Sequence, residues 1–422
     1  MRTLYSGLWY ALMPALFIRL WWRGRRAPAY RGRWRERLAL GLPRQPGHTV
    51  WIHAVSVGET LAAAPMIREL LARYPDTPLL VTTTTPTGSE QVRKLFGDRV
   101  LHVYCPWDTP DAMARFFRVF NPALVLILET ELWPNMIATA ARRAVPVWLV
   151  NGRLSARSFR GYQKFSALVR PMLQRFAGLM VQTDAEADRF RQLGAPPERV
   201  HVTGSVKFDL VLDDTLRENA AVLRAGCGAR PVWIAASTHP GEEEQVLAAH
   251  ATVRAAQPDA LLVLVPRHPE RFNEVAEQVV RAGMPLVRRS SGERVTADAA
   301  VYLGDTMGEL LMLFGASDVA FVGGSLVPLG GHNLLEPAAW GRPVISGPHR
   351  FNFERVAELL EEQAALVTVV DASSLAEAVL LLLDDSVKRA QQGEAARAVV
   401  AAHGGALERV LARLGEVWPG QH

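Results

Sequence analysis

The sequence predicts an α/β protein of two doubly wound, parallel-sheet domains, with an apolar, basic-flanked segment in front of them. Three observations predict it. From Pro43 onward, short apolar runs alternate with helix-length segments, the pattern of strand–loop–helix repeats. Most of these runs are unbroken rather than alternating, as expected of strands covered on both faces. Residues 206–230 (VKFDLVLDDTLRENAAVLRAGCGAR) are charged and interrupt the series, which places a hinge there and separates residues 45–208 from residues 209–422. A chain of 422 residues exceeds one ordinary core, and 49% hydrophobic residues with 32 Gly and 27 Pro is a globular composition. Cys105 and Cys227 lie far apart without metal-ligand spacing, and nothing requires a disulfide.

The first element is residues 1–40, expected to be a membrane anchor with a basic flank. Leu4 to Ile18 is free of charge, and LWW follows Arg19. Fifteen helical residues span about 22 Å, short of a hydrocarbon core of roughly 30 Å, so the segment either spans marginally or lies along the membrane. Trp9, Trp21, Trp22 and Trp34 suit the lipid–water interface. Nine arginines (Arg2, Arg19, Arg23, Arg25, Arg26, Arg31, Arg33, Arg35, Arg37) against Glu36 give this end +8 of a net +5, so the rest of the chain carries −3. That block suits anionic headgroups on the cytoplasmic side and argues against a cleaved signal peptide. Because the basicity belongs to one end, it argues against nucleic acid as the main partner. A first helix buried in the body is the alternative reading.

In residues 45–208 the expected strands are 50–55, 78–84, 100–105, 123–129, 146–151, 178–183 and 200–205, with helical runs at 61–74, 110–120, 135–143 and 185–193. Ligands of open α/β sheets bind at the carboxyl ends of strands, so the polar residues there are the candidates. VWIHAVSVGET puts Glu59 just past the first strand, at a helix start; complementing the helix dipole is its plain alternative role. ALVLILETELWPN ends in Glu129 and Glu131, which point to one side if the segment is extended. Lys207 follows the last strand, where it can neutralise a carboxylate or phosphate.

In residues 209–422 six further strands are expected: 231–237, 260–266, 285–290, 300–304, 319–324 and 342–347. Helical segments lie near 241–255, 270–282, 308–315 and 334–340. Ser237, Thr238 and His239 follow one strand, and Arg267 and His268 the next. Met307, Gly308 and Glu309 open a helix whose N–H groups could take an anion. Gly323, Gly324, Gly330, Gly331, His332 and Asn333 precede a helix with Leu334, Leu335 and Glu336. Glycines let backbone approach a ligand closely, the helix N-terminus binds phosphate, and a carboxylate one turn in can hold ribose hydroxyls. His239, His268 and His332 share no element at ligand spacing, so no metal is expected. Together these residues point to a nucleotide site.

HAVSVGE, ETELWPN, NGRLS, GSVKFD, STHPGEE, PRHPER, GDTMGEL and GGHNLLEPAAWGRPVI, in this order, closely resemble the Kdo transferases. That family moves 3-deoxy-D-manno-octulosonic acid (Kdo) from CMP-Kdo to the lipid A precursor, lipid IVA, at the cytoplasmic leaflet of the Gram-negative inner membrane. The resemblance implies a GT-B glycosyltransferase, acceptor domain first and CMP-sugar domain second, facing a cleft, and an inverting transfer without a metal or other cofactor. It implies that Glu59 is the general base, and its position at a helix N-terminus is expected to keep it ionised. Glu129 and Lys207 match the residues that support the transition state. Arg267, His268, Met307, Gly308, Glu309, Asn333, Leu334, Leu335 and Glu336 match the CMP-binding segments. Arg153, Arg157, Arg160 and Lys164 are candidates for the lipid phosphates, with a solvated basic helix face as the alternative. Two other functions stay open: a GT-B transferase or epimerase acting on a UDP-sugar, and a non-catalytic membrane-bound nucleotide-binding protein.

Overall fold

The protein is described by a computed structural model over residues 1–25, 27–43 and 47–420; Arg26 and the expected domain start at Gln45 lie outside the described residues. The chain folds into two compact units, Met1–Asp209 with the segment from Gly404 onward, and Leu210–His403.

The first unit is a seven-stranded parallel sheet: β1 Thr49–His53, β2 Leu79–Thr83, β3 Leu101–Tyr104, β4 Pro122–Leu128, β5 Val147–Gly152, β6 Gly178–Val181 and β7 Val200–Val202. Their order is β3-β2-β1-β4-β5-β6-β7, so the winding reverses between β1 and β4. Crossover helices begin where a short polar side chain takes a free N–H, as Ser56 does for the helix Val57–Arg73 and Thr183 for Asp184–Gln192. Asp108, fully buried, accepts from the N–H groups of Asn135 and Met136 (2.9 and 2.7 Å) and so starts the helix Pro134–Arg142.

The second unit repeats the plan with β8 Val232–Thr238, β9 Leu261–Pro266, β10 Leu286–Arg288, β11 Val301–Leu303, β12 Val319–Val322, β13 Val344–Ser346 and β14 Leu366–Thr368. The order β10-β11-β9-β8-β12-β13-β14 reverses between β8 and β12. Trp233, Phe321 and Ile345 are fully buried in its core. The thirteen expected strands are present. The fourteenth, β14, is a three-residue edge strand whose signal is too short to read.

Two differences from the sequence reading concern the ends. The second domain was expected to run to residue 422, but the last helix, Ala406–Glu416, belongs to the first unit. Val410, Leu411 and Leu414 are buried in the core that holds Ile67 and Leu70, and Trp418 stacks on Tyr74 at 4.2 Å. The N-terminal helix, Arg2–Arg23, lies against the first unit along one face. Ser6 and Asn135 exchange hydrogen bonds, and Phe17 packs edge-on to Trp107 at 4.7 Å. No helix among the described residues is long and apolar enough to cross a membrane. The helix's other side leaves Leu4, Leu8, Leu12, Ile18 and Trp22 exposed.

Candidate active site

The two reversals of strand order are the places where a doubly wound sheet opens a crevice for ligands. In the first unit β1 leads to Glu59 and β4 to Glu129, on either side of the reversal. The helix begins at Val57, four residues before the expected start, so Glu59 sits in its first turn. Its carboxylate accepts hydrogen bonds from the Val55 N–H (2.7 Å) and the Ser56 hydroxyl (3.0 Å). Both favour the ionised form, as the sequence led one to expect, but burial outweighs them. Desolvation, with the negative charges of Glu129 and Glu131 adding to it, raises the Glu59 carboxyl to about 7.

Glu129 and Glu131 do not continue the strand as expected. β4 ends at Leu128, and Glu129 has φ +56°, so the two-residue alternation of an extended chain is lost. Glu129 turns to Lys207, whose Nζ is 3.2 Å away, while Glu131 accepts from the Trp133 indole at 2.7 Å. Burial raises the Glu131 carboxyl, and Glu129 adds to the shift. The Glu129–Lys207 pair is half-exposed and contributes less than about 1 kcal/mol; its effect is to fix a cation beside two acids. Asn151, fully buried, accepts from the Val206 N–H at 3.2 Å and so holds the turn that carries Lys207. Its role is not visible in the sequence, because the partner is a main-chain group 55 residues away.

In the second unit His239 follows β8 and Gly323–Gly324 follows β12, again flanking the reversal. The glycine-rich turn was expected to let its main chain, N–H groups included, approach a ligand closely. Instead Glu242, fully buried, takes them: its carboxylate accepts from the N–H groups of Gly324 (2.7 Å), Ser325 and Leu326 (2.9 Å each) and His239 (3.0 Å). Gly323 is required by packing, since a Cβ there would lie 2.8 Å from the Ser237 carbonyl oxygen. Those four N–H groups are therefore occupied by Glu242 rather than offered to a ligand phosphate. Arg267 is exposed, and His268 is partly exposed, with its ring edge-on to His239 at 5.2 Å. His239 in turn faces His332, Nε2 to Nε2, at 2.8 Å.

Asn333 donates to the Glu336 carboxylate (3.1 Å) and accepts from the Leu335 N–H. Burial raises the Glu336 carboxyl, with Asn333 and Arg267 opposing the shift. The Leu334 and Leu335 side chains are buried, so they can offer a ligand only main-chain groups. Met307 is exposed and Gly308 has φ +91°, at the end of β11, two places from β8 in the sheet order. Glu309 is held by a two-pronged ion pair with Arg289 (2.7 and 3.0 Å), which lowers its carboxyl. No described hydrogen bond or ion pair links Met307, Gly308 and Glu309 to Arg267, His268 and Glu336. Arg153, Arg157, Arg160 and Lys164 are exposed before, on and just after the helix Ala156–Gln163 of the first unit. Among the described residues no group of three or more His, Cys, Asp or Glu side chains is placed to hold a metal.

A family model described as 3-Deoxy-D-manno-octulosonic-acid transferase (kdotransferase) matches residues 32–210. The 3-deoxy-D-manno-octulosonic acid transferase of Haemophilus influenzae is 41% identical over 414 residues, covering 97% of each chain. That of Bordetella pertussis is 39% identical over 436 residues, 99% of this chain and 100% of its own. Among solved structures, a UDP-GlcNAc 2-epimerase from Neisseria meningitidis bound to UDP-GlcNAc superposes with a TM-score of 0.60 over 87% of this chain and 100% of its own. At 14% identity that likeness is one of fold, of the GT-B kind.

Proposed function

The chain belongs to the Kdo transferase family, and from that premise we propose that Glu59 is the general base of an inverting transfer of Kdo from CMP-Kdo to the lipid A precursor. The observation that carries this role is a buried carboxylate in the first turn after β1, at the reversal of the first sheet and held by the Val55 N–H and the Ser56 hydroxyl, where burial raises its carboxyl to about 7. A base with that proton affinity is ionised in about half of the molecules at neutral pH, yet basic enough to take the acceptor hydroxyl proton as the new glycosidic bond forms. Lys207 offsets charge on the donor carboxylate or departing phosphate, and Glu129 orients Lys207 through their 3.2 Å contact.

The second unit binds the CMP portion. Arg267 and His268 meet its phosphate, Glu336, positioned by Asn333, accepts from ribose hydroxyls, and the main chain at Leu334 and Leu335 together with Met307, Gly308 and Glu309 completes the nucleotide contacts. Transfer proceeds without a metal. The acceptor is presented at the cytoplasmic face of the inner membrane, where the exposed side of the helix Arg2–Arg23 lies in the interface and the arginines face anionic headgroups. Arg153, Arg157, Arg160 and Lys164 supply positive charge for the lipid phosphates.

The deciding experiment is transfer of Kdo from CMP-Kdo, generated in situ, to tetraacylated lipid A precursor by the Glu59→Gln protein. Turnover is expected to fall by about 10³-fold, within the range of general-base catalysis, with CMP binding retained; near-normal turnover removes Glu59 from the base role. Tighter binding of UDP than of CMP would instead favour a UDP-sugar enzyme.

A further inference from the structure

His239 and His332 stand with rings parallel to within 3°, centroids 5.1 Å apart and Nε2 atoms 2.8 Å apart. Nitrogens this close share one proton, since two lone pairs would repel and two N–H groups would collide. One ring is therefore the Nε2–H donor, and its Nδ1 is a bare lone pair. The other accepts at Nε2 and carries its own proton on Nδ1. The pair thus has room for one more proton, at the bare Nδ1. That proton makes an imidazolium and strengthens the existing N–H···N bond; a second would force the rings apart.

The surroundings hold this geometry. Glu242 fixes the His239 main chain, and the Gly331 N–H donates to the Gly324 carbonyl at 2.8 Å, setting His332 above the glycine turn. A Cβ on Gly324 would lie 2.9 Å from the His332 ring. The charges facing His239 are Glu242, which favours protonation, and His268, Arg267 and Arg271, which oppose it. His239, Arg267 and His268 oppose protonation of His332. Burial is the largest influence on both rings, lowering His239 and bringing His332 down to about 4, so the unliganded pair is neutral at pH 7.

We propose that the His239–His332 pair is a one-proton receiver for the donor phosphate: a nucleotide anion bound beside Arg267 and His268 draws one proton from solvent onto the pair. The inference rests on reading this sheet edge as the CMP site. In the reaction the bond between the Kdo anomeric carbon and the phosphate oxygen breaks, and its electron pair leaves with the phosphate. The acceptor hydroxyl proton goes to Glu59, and the imidazolium faces the charge that the phosphate gains. When CMP leaves, the pair returns its proton to solvent.

Proton uptake is measurable by titrating the full chain with CMP near pH 8, where the CMP phosphate is already fully ionised, in buffers of different ionisation enthalpy. The expected result is uptake of up to one proton per CMP, and a CMP Kd that rises by up to about tenfold per pH unit above about pH 7.5. The sign follows from the linkage: the pair's proton affinity is higher when CMP is bound, so binding weakens as pH rises through the bound pKa. His239→Gln and His332→Gln keep hydrogen-bonding capacity but cannot be protonated, and each is expected to abolish the uptake and flatten the pH slope. His268→Gln is expected to retain the uptake. Absence of uptake in the wild-type protein, or its loss only in His268→Gln, overturns the proposal without touching the nucleotide site. Failure of CMP to bind overturns both. If the Gln proteins do not fold, the wild-type uptake and pH slope decide the matter by themselves.

Discussion

Glu59 is buried with its folded-state carboxyl near 7, against an ordinary carboxylate value of 4.5. The ionised form is therefore destabilised in the folded protein. Stability from this group is greatest below about pH 4.5 and declines as pH rises through 7, the reverse of a salt-bridged acid. Glu59→Gln is thus expected to be more stable than wild type at pH 8 by on the order of 1–3 kcal/mol, unfolding at a higher temperature, and to unfold at nearly the same temperature at about pH 4.5. An unfolding difference that does not change with pH would show that Glu59 is not held in a desolvated site. The rate of transfer should follow the opposite limb, rising with pH to a plateau above about 7 as the base ionises. Glu59, Glu129 and Lys207 are legible in the sequence because each closely follows an apolar run that reads as a strand. Glu242 and Asn151 are not, since three of the four main-chain N–H groups on Glu242 lie 82–84 residues away and the one on Asn151 lies 55 away, separations that no local spacing reveals.

Among the elements, the helix Arg2–Arg23 has two faces with different consequences. Tyr5, Ser6, Trp9 and Phe17 face the first unit, whereas Leu8 and Ile18 are exposed. Leu8→Glu with Ile18→Glu is expected to weaken binding to anionic vesicles by about tenfold, through lost apolar burial and added repulsion, with the unfolding temperature unchanged. Unchanged vesicle binding would exclude this face as the membrane contact. The helix was readable as apolar from its fifteen uncharged residues, but its docking was not: the ring contacts to Trp107 and the bonds to Asn135 cross about 90 residues or more of chain. The glycine turn misleads in a related way. Its glycines read as room for a ligand to approach the main chain, yet Gly323 is small because it packs against the strand end at Ser237. Gly323→Ala is expected to destabilise the second unit by about 1–3 kcal/mol, the range for overpacking, measurable as a lower denaturant midpoint; a neutral effect would mean that the β8 end yields easily.

At the scale of the whole molecule, the end of the chain returns to the unit in which it began. Residues from Gly404 onward are held there by Asp209, which accepts from the N–H groups of Gly405 and Leu407, and by the burial of Val410, Leu411, Leu414 and Trp418. Sequence alternation could not show this, because an amphipathic helix carries no record of which sheet it covers. The consequence is an asymmetric response to truncation. Removing residues 404–422 strips several large apolar side chains from the core around Ile67 and Leu70, each worth about 1.5–3 kcal/mol of burial, while the second unit keeps every element from Val232 to His403. Calorimetry of the full chain with and without CMP identifies the second unit's transition as the one that the nucleotide raises. In the truncated chain that transition, and its shift by CMP, should persist, while the other falls by about ten degrees or disappears, and Kdo transfer is lost with it. If truncation instead abolishes the CMP-responsive transition and spares the other, the tail belongs energetically to the nucleotide-binding half and the assignment of the core around Trp418 is wrong.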